Sequence, residues 1–132
     1  MHISVATPTG FEPDAASVAT AKAAAAEAGT TVVLTTSAAE AVKDADIVYT
    51  DTWVSMGQET EKAARIKQFE GFQVNEALMA QAAPEALFLH CLPAYRGLEV
   101  SEGVIDGPQS VVFDEAENRL HAQKAVLVKL MG

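Results

Sequence analysis

A single cysteine, Cys91, stands in a chain of 132 residues, so no disulfide can form within it. Histidine is nearly as scarce, with three scattered copies, and no Cys/His spacing of the kind that builds a zinc site is present. Basic residues number nine against eighteen acidic ones, a formal charge of −9. That balance argues against nucleic acid or an anionic membrane as a partner, because both need basic surface. It still allows a small anion, which one well-placed Arg and a helix N-terminus can hold. No apolar run approaches the roughly 18 residues needed to cross a bilayer. The N-terminal MHISVATPTG has no basic region followed by an apolar stretch, so no secretory signal is visible and a cytoplasmic location is expected. Aromatics make up only 6%, and much of the 49% hydrophobic content is alanine, which forms helix well but fills little core volume. The core must therefore come from Val, Ile, Leu and Phe clusters. The length suits one folded domain.

What is present alternates. His2–Pro8 is a short β-branched run stopped by Pro8 and Gly10, a strand signal. Asp14–Ala28 is almost all helix formers, opened by Pro13-Asp14 and closed by Gly29. Thr31–Thr36 reads as strand, Ala38–Lys43 as a short helix capped by Ser37, and Asp46–Asp51 as strand. Gln58–Lys67 and Glu76–Ala82 read as helices, the second capped by Asn75. Leu87–Leu92 is a strand ended by Pro93, and Ser110–Asp114 is expected to be the last strand before a helix reaching about Leu130. Strand and helix in turn predict an α/β fold, a Rossmann-like three-layer αβα arrangement around a mainly parallel sheet.

Ligands in open parallel sheets bind outside the carboxyl ends of the strands. Three unusual segments fall there: Asp51-Thr52-Trp53-Val54-Ser55-Met56-Gly57, His90-Cys91-Leu92-Pro93, and Asp114 through Arg119. Ser55 has an ordinary structural reading, a capping box with Gln58. It also has a ligand reading, in which Asp51 and Ser55 take an α-ammonium while helix-start amides favour the carboxylate. Adjacent strand residues point to opposite faces, so His90 and Cys91 are not expected to share a metal, and no metal site is assigned. Cys91 is either a small buried hydrophobe or a group at the rim; as a nucleophile it would need a nearby base, and spacing identifies none. Arg119, one of three arginines, either pairs with Glu115 on a helix or reaches across the rim to a carbonyl or phosphate oxygen. Tyr49, Trp53 and Phe113 read most simply as core or rim packing.

Taken together these segments resemble the ornithine carbamoyltransferase family. DTWVSMGQE is similar to the family's ornithine-binding SMG loop with its upstream aspartate, HCLPAYRG to its cysteine loop, and DGPQSVVFDEAENRLHAQKAVL to its C-terminal arginine segment. The resemblance runs through nearly the whole chain, ATPTGFEP included. Putrescine and N-acetylornithine transferases are also similar, and the intact SMG loop favours a free α-amino acid. The resemblance implies that Asp51, Ser55 and Met56 hold the α-amino acid end of L-ornithine. It implies that Cys91 and Leu92 lie where the δ-amine meets carbamoyl phosphate, and that Arg119 contacts carbamoyl phosphate. Cys91 and Arg119 are the expected catalytic pair, with no metal or organic cofactor. The implied reaction is carbamoyl transfer to the δ-amine, giving citrulline and phosphate, by positioning and charge stabilisation.

The departures from the family pattern carry expectations too. No Ser-Thr-Arg-Thr phosphate segment occurs here. The first strand and helix of the family's second domain are unmatched, with the asparagine that helps to bind ornithine, and Tyr95 stands where the family often has histidine. Residues 1–132 are accordingly expected to be an N-terminally truncated second domain, inactive alone; the alternative is a non-catalytic amino-acid-binding or interaction module of the same descent. Family members are trimers. In this chain the unmatched central strand would leave His2–Pro8 and Asp46–Asp51 with open edges. These are expected to pair with one another or, preferably, to recruit a second copy in a dimer.

Overall fold

Most of the expected elements form, and in the expected order. The computed structural model describes residues 1–54, 60 and 62–132. Along them run β1 (Ile3–Ala6), α1 (Ala15–Glu27), β2 (Val32–Thr35), α2 (Ala38–Val42), β3 (Ile47–Thr50), α3 (Lys62–Gln68), α4 (Glu76–Met79), β4 (Leu87–His90), α5 (Glu102–Ile105) and α6 (Val112–Met131). Polar side chains set the helix starts as the sequence suggests. The Asp14 carboxylate accepts from the Ser17 amide at 2.8 Å, Ser37 Oγ from the Glu40 amide at 3.2 Å, and Asn75 Oδ1 from the Leu78 amide at 2.9 Å. Each satisfies an amide that the first helical turn leaves without a carbonyl. Gly29, at φ 65°, carries the chain out of α1 through a conformation that only glycine adopts cheaply.

The strands are parallel but do not join into one sheet. β1 pairs with β2 from Ile3↔Val32 to Ala6↔Thr35, and β3 pairs with β4 from Ile47↔Leu87 to Thr50↔His90. Among the described residues β1 and β3 are not paired with each other, so the expected single sheet is two two-stranded ones. Between them lies a cleft of about 390 Å³, lined by Ser4–Thr7 on one side and by Ile47–Asp51 on the other. The direct pairing offered as one way to close the sheet is thus not adopted.

The expected strand Ser110–Asp114 needs correction. Only Ser110 bridges to Phe88, through Phe88 N–H to Gln109 O and Val111 N–H to Phe88 O, and α6 begins at Val112. Val112 is buried while Phe113 is 71% exposed. The apolar run was therefore one docking residue and a helix start, and Asp114 and Glu115 fall in the first turn, where carboxylates favour helix.

The core gathers around the second sheet: Val48, Phe88, Val100, Val104, Ile105 and Val112 are all buried. α6 packs on β4 near its own start, which brings the third motif to the end of the second sheet. The first sheet is more thinly covered, with Ile3, Val33 and Leu34 exposed.

Candidate functional site

Parallel register decides which side chains meet. Thr50 lies opposite His90, so the residues immediately after them, Asp51 and Cys91, leave the paired strands side by side. The Cys91 thiol donates to Asp51 Oδ1 at 3.1 Å, and the Thr52 amide donates to the same oxygen at 2.7 Å. Two expected site residues forty positions apart thus share one hydrogen bond at the sheet rim. Both are exposed. Asp51 also lines the cleft between the sheets.

Cys91 is neither a buried hydrophobe nor an activated nucleophile. Partial burial pushes its thiol up, and the hydrogen bond and negative charge of Asp51 act in the same direction against the lowering effect of the Tyr49 hydroxyl. A thiol held protonated is a hydrogen-bond donor first. Tyr49, expected in the core or at the rim, is 55% exposed and stands at the rim, and its hydroxyl is pushed well up, chiefly by its hydrogen bond with Cys91. Tyr49 lies on β3 and Asp51 just beyond its end, and both are hydrogen-bond partners of the Cys91 thiol. A tyrosine beside the end of a strand was the available signal for a rim role. Of the other two aromatics, Trp53 is buried and stacks on Phe69 at 5.6 Å between centroids, whereas the exposed Phe113 packs in no core.

Beneath the thiol lies a buried polar pair that the sequence did not announce. His90 and Glu99 are both fully buried, with His90 Nε2 at 3.2 Å from Glu99 Oε1. His90 Nδ1 accepts from the Leu92 amide at 2.9 Å, and the His90 amide donates to Glu115 Oε2 at 2.9 Å. Leu92 sits at φ 55°, a left-handed conformation uncommon for a residue with a branched side chain. The ring nitrogen–amide bond helps to hold it there.

Asp51, His90 and Cys91 bring potential ligand atoms within 4.8 Å of one another. The expectation that His90 and Cys91 are kept apart by strand alternation fails, because β4 ends at His90 and Cys91 follows a different backbone course. Both His90 ring nitrogens are already engaged, by Glu99 and by the Leu92 amide, so the cluster is built as a hydrogen-bond network.

The remaining expected residues fare differently. Leu92 lies directly beyond Cys91 and packs partly against the core. Arg119 stands exposed on α6; among the described residues no contact joins it to Asp51 or Cys91, and its expected partner Glu115 is occupied by the His90 amide. Ser55, Met56 and the Ser55–Gln58 capping box lie outside the described residues. The helix expected at Gln58–Lys67 is described from Lys62. Behind the loop's start, Arg65 Nη1 donates to Trp53 O at 3.4 Å. No helix among the described residues is long and apolar enough to cross a membrane.

Parallel strands that deliver a carboxylate, a thiol and an ordered turn to one rim define an α/β domain whose polar groups gather where ligands of open parallel sheets bind. The chain belongs to the aspartate/ornithine carbamoyltransferase family: the model of its Asp/Orn binding domain matches residues 1–130. An ornithine carbamoyltransferase of Bifidobacterium longum subsp. infantis is 64% identical over 132 residues, which is 100% of this chain and 41% of that protein. The solved ornithine carbamoyltransferase from Pyrococcus furiosus superposes with a TM-score of 0.90 at 56% identity, covering 96% of this chain and 40% of that one. A solved acetylornithine transcarbamylase complexed with acetylcitrulline superposes at 0.85 with 34% identity, covering 100% of this chain and 40% of that one. The chain thus spans about 41% of the length of the first curated relative.

Proposed function

We propose that this chain is the ornithine-binding domain of an ornithine carbamoyltransferase, the second domain of such an enzyme, and that residues 1–132 form a single unit. The reading rests on the Asp51–Cys91 hydrogen bond at the carboxyl ends of β3 and β4. Asp51, with Ser55 and Met56 from the adjoining loop, takes the α-amino acid end of L-ornithine. Oδ1 of Asp51 is engaged by Thr52 and Cys91, and Oδ2, unbonded among the described residues, faces the ammonium. Cys91 and Leu92 lie beside the δ-amine, and Arg119 contacts carbamoyl phosphate. The neutral δ-amine attacks the carbamoyl carbon, the C–O bond to phosphate breaks, and citrulline and phosphate leave after the amine gives up a proton. The protein contributes position and charge, not a covalent step: a thiol kept protonated by burial and by Asp51 suits donation better than attack. No cofactor has a part in this scheme.

The same geometry supports ligand binding without turnover by this chain alone, because Arg119 is the sole arginine assigned to the phosphate side and no Ser-Thr-Arg-Thr segment is present. Association belongs to the proposal as well. The free edges of β1 and β3 both border the cleft, and paired backbone from a second copy would satisfy them. Calorimetric titration of L-ornithine into the chain and into Asp51→Asn tests the assignment. Hydrogen bonds to charged groups contribute about 1.5–3 kcal/mol, so binding should weaken by roughly tenfold or more. Equal affinity for both proteins would remove Asp51 from the site.

A further inference from the structure

We infer that Glu99 is a positioning residue for the Cys91–Leu92 turn, acting through His90. Its side chain is fully buried, and it spends one oxygen on two donors: Oε1 lies 3.2 Å from His90 Nε2 and accepts from the Tyr95 amide at 2.6 Å. Oε2 is buried, with no hydrogen-bond partner among the described residues. A carboxylate placed only for stability would be expected to have both oxygens satisfied. Here the bonds converge on one segment instead.

The direction of those bonds fixes the imidazole. Because the Leu92 amide donates to Nδ1, that nitrogen must present its lone pair, so the ring proton sits on Nε2 and points at Glu99. Glu99 supplies the acceptor that this Nε2 proton needs, and so selects the tautomer together with the Leu92 amide. With the proton on Nδ1 instead, two N–H groups would face each other across 2.9 Å and the Leu92 amide would lose its acceptor. Leu92 holds φ 55°, where the backbone is unfavourable without such support. Glu99 thus grips both ends of the stretch from Leu92 to Tyr95, one directly and one through the ring. What it aims is the Cys91 thiol and the Leu92 backbone, the two groups assigned to the δ-amine. That purpose rests on the ornithine reading; the bonding arrangement does not.

The test separates the two. In the unaltered chain, long-range ¹H–¹⁵N correlation of the His90 ring should show a protonated Nε2 and a bare Nδ1 at neutral pH, with the Leu92 amide protected from exchange. Glu99→Gln keeps a carbonyl oxygen for His90 and Tyr95 and sets its amide on the unpartnered side, so tautomer and protection should persist. Glu99→Met removes the acceptor at nearly constant volume; the tautomer should be lost and the Leu92 and Tyr95 amides should exchange at least about tenfold faster. If Glu99→Met does not fold, the unaltered chain and Glu99→Gln decide alone. A ring protonated at Nδ1 in the unaltered chain, or unchanged Leu92 exchange in Glu99→Met, would overturn the inference. Ornithine titrated into the same samples completes it. Tighter binding by the unaltered chain and Glu99→Gln than by Glu99→Met supports positioning, and equal binding by all three overturns it. Failure of every protein to bind ornithine while tautomer and exchange respond as expected supports the positioning of the turn and rejects the ornithine reading.

Discussion

Replacing Asp51 by Asn should lower the pH at which Cys91 ionises. The thiol donates to Asp51 Oδ1 across 3.1 Å, so forming the thiolate both breaks that bond and brings two negative charges together. At this separation two unit charges repel by about 1.3 kcal/mol in bulk water and several times more in a protein interior. Both residues are exposed, so the water limit is the better guide to the repulsion. Burial acts in the same direction on the thiol and is retained in the variant, so the midpoint should fall without losing the whole of its elevation. Tyr49→Phe removes the larger of the two hydrogen bonds that lower the thiol and should move the midpoint upward. Cys91 is the only cysteine, so the alkylation rate with iodoacetamide followed against pH reports this site alone. The rate at a fixed pH is a poorer measure, because thiolate nucleophilicity falls with its pKa with a coefficient of about 0.4–0.5. A tenfold gain in thiolate then appears as only about a three- to fourfold gain in rate. A midpoint in Asp51→Asn equal to or above that of the unaltered chain would refute the pairing. A fall in Tyr49→Phe would refute the role given to the phenol.

Three further outcomes are expected. The 132-residue chain, free of contaminating enzyme, should make no measurable citrulline from L-ornithine and carbamoyl phosphate, since holding both reactants together accounts for about 7–11 kcal/mol of a barrier; turnover in a colorimetric citrulline assay would contradict this. Sedimentation at micromolar concentration should show a dimer or larger species, because among the described residues β1 and β3 each present an open edge to the cleft; a strictly monomeric particle would reject association through those edges. Asp14→Ala should lower the melting temperature at pH 7, and by less as pH falls below the usual carboxylate range. The Ser17 amide holds the Asp14 carboxyl below its usual range, so its stabilisation is present above the unfolded value and disappears as pH falls through the folded one; an equal loss across that range would exclude the cap as its origin.

The fold was legible where local chemistry and tertiary structure agree. Asp14, Ser37 and Asn75 each precede a helix in the sequence and each accepts a first-turn amide in the structure. Val32–Thr35 and Leu87–His90 fall inside the runs read as strands. Ser110–Asp114 misled because an apolar run of that length suits a buried strand and a half-buried helix start equally. What decides between them is that Ser110 alone can reach Phe88 before α6 turns away, a distance relation with no local trace. The division into two sheets was likewise hidden, since strand signals report the strand and not its neighbour.

For the site, Asp51 and Cys91 could be placed at strand ends but not together; only the register Thr50↔His90 makes them adjacent. The sequence was blind to Glu99 for a different reason. Between Leu98 and Val100 it looks like one exposed charge on an extended segment, and Val100 makes the neighbouring bridges to Val74 and Arg96 that carry Glu99 inward. Burial of a carboxylate is improbable unless donors await it. Those donors, His90 and the Tyr95 amide, come from nine and four positions away through a stretch with two left-handed residues, of which Gly97 is glycine and Leu92 is not. A network of this kind depends on a backbone conformation that sequence patterns count as rare. It follows that the motif HCLP marks the site by its visible thiol, while the conformation of that motif is held by a glutamate and a histidine that no solvent reaches.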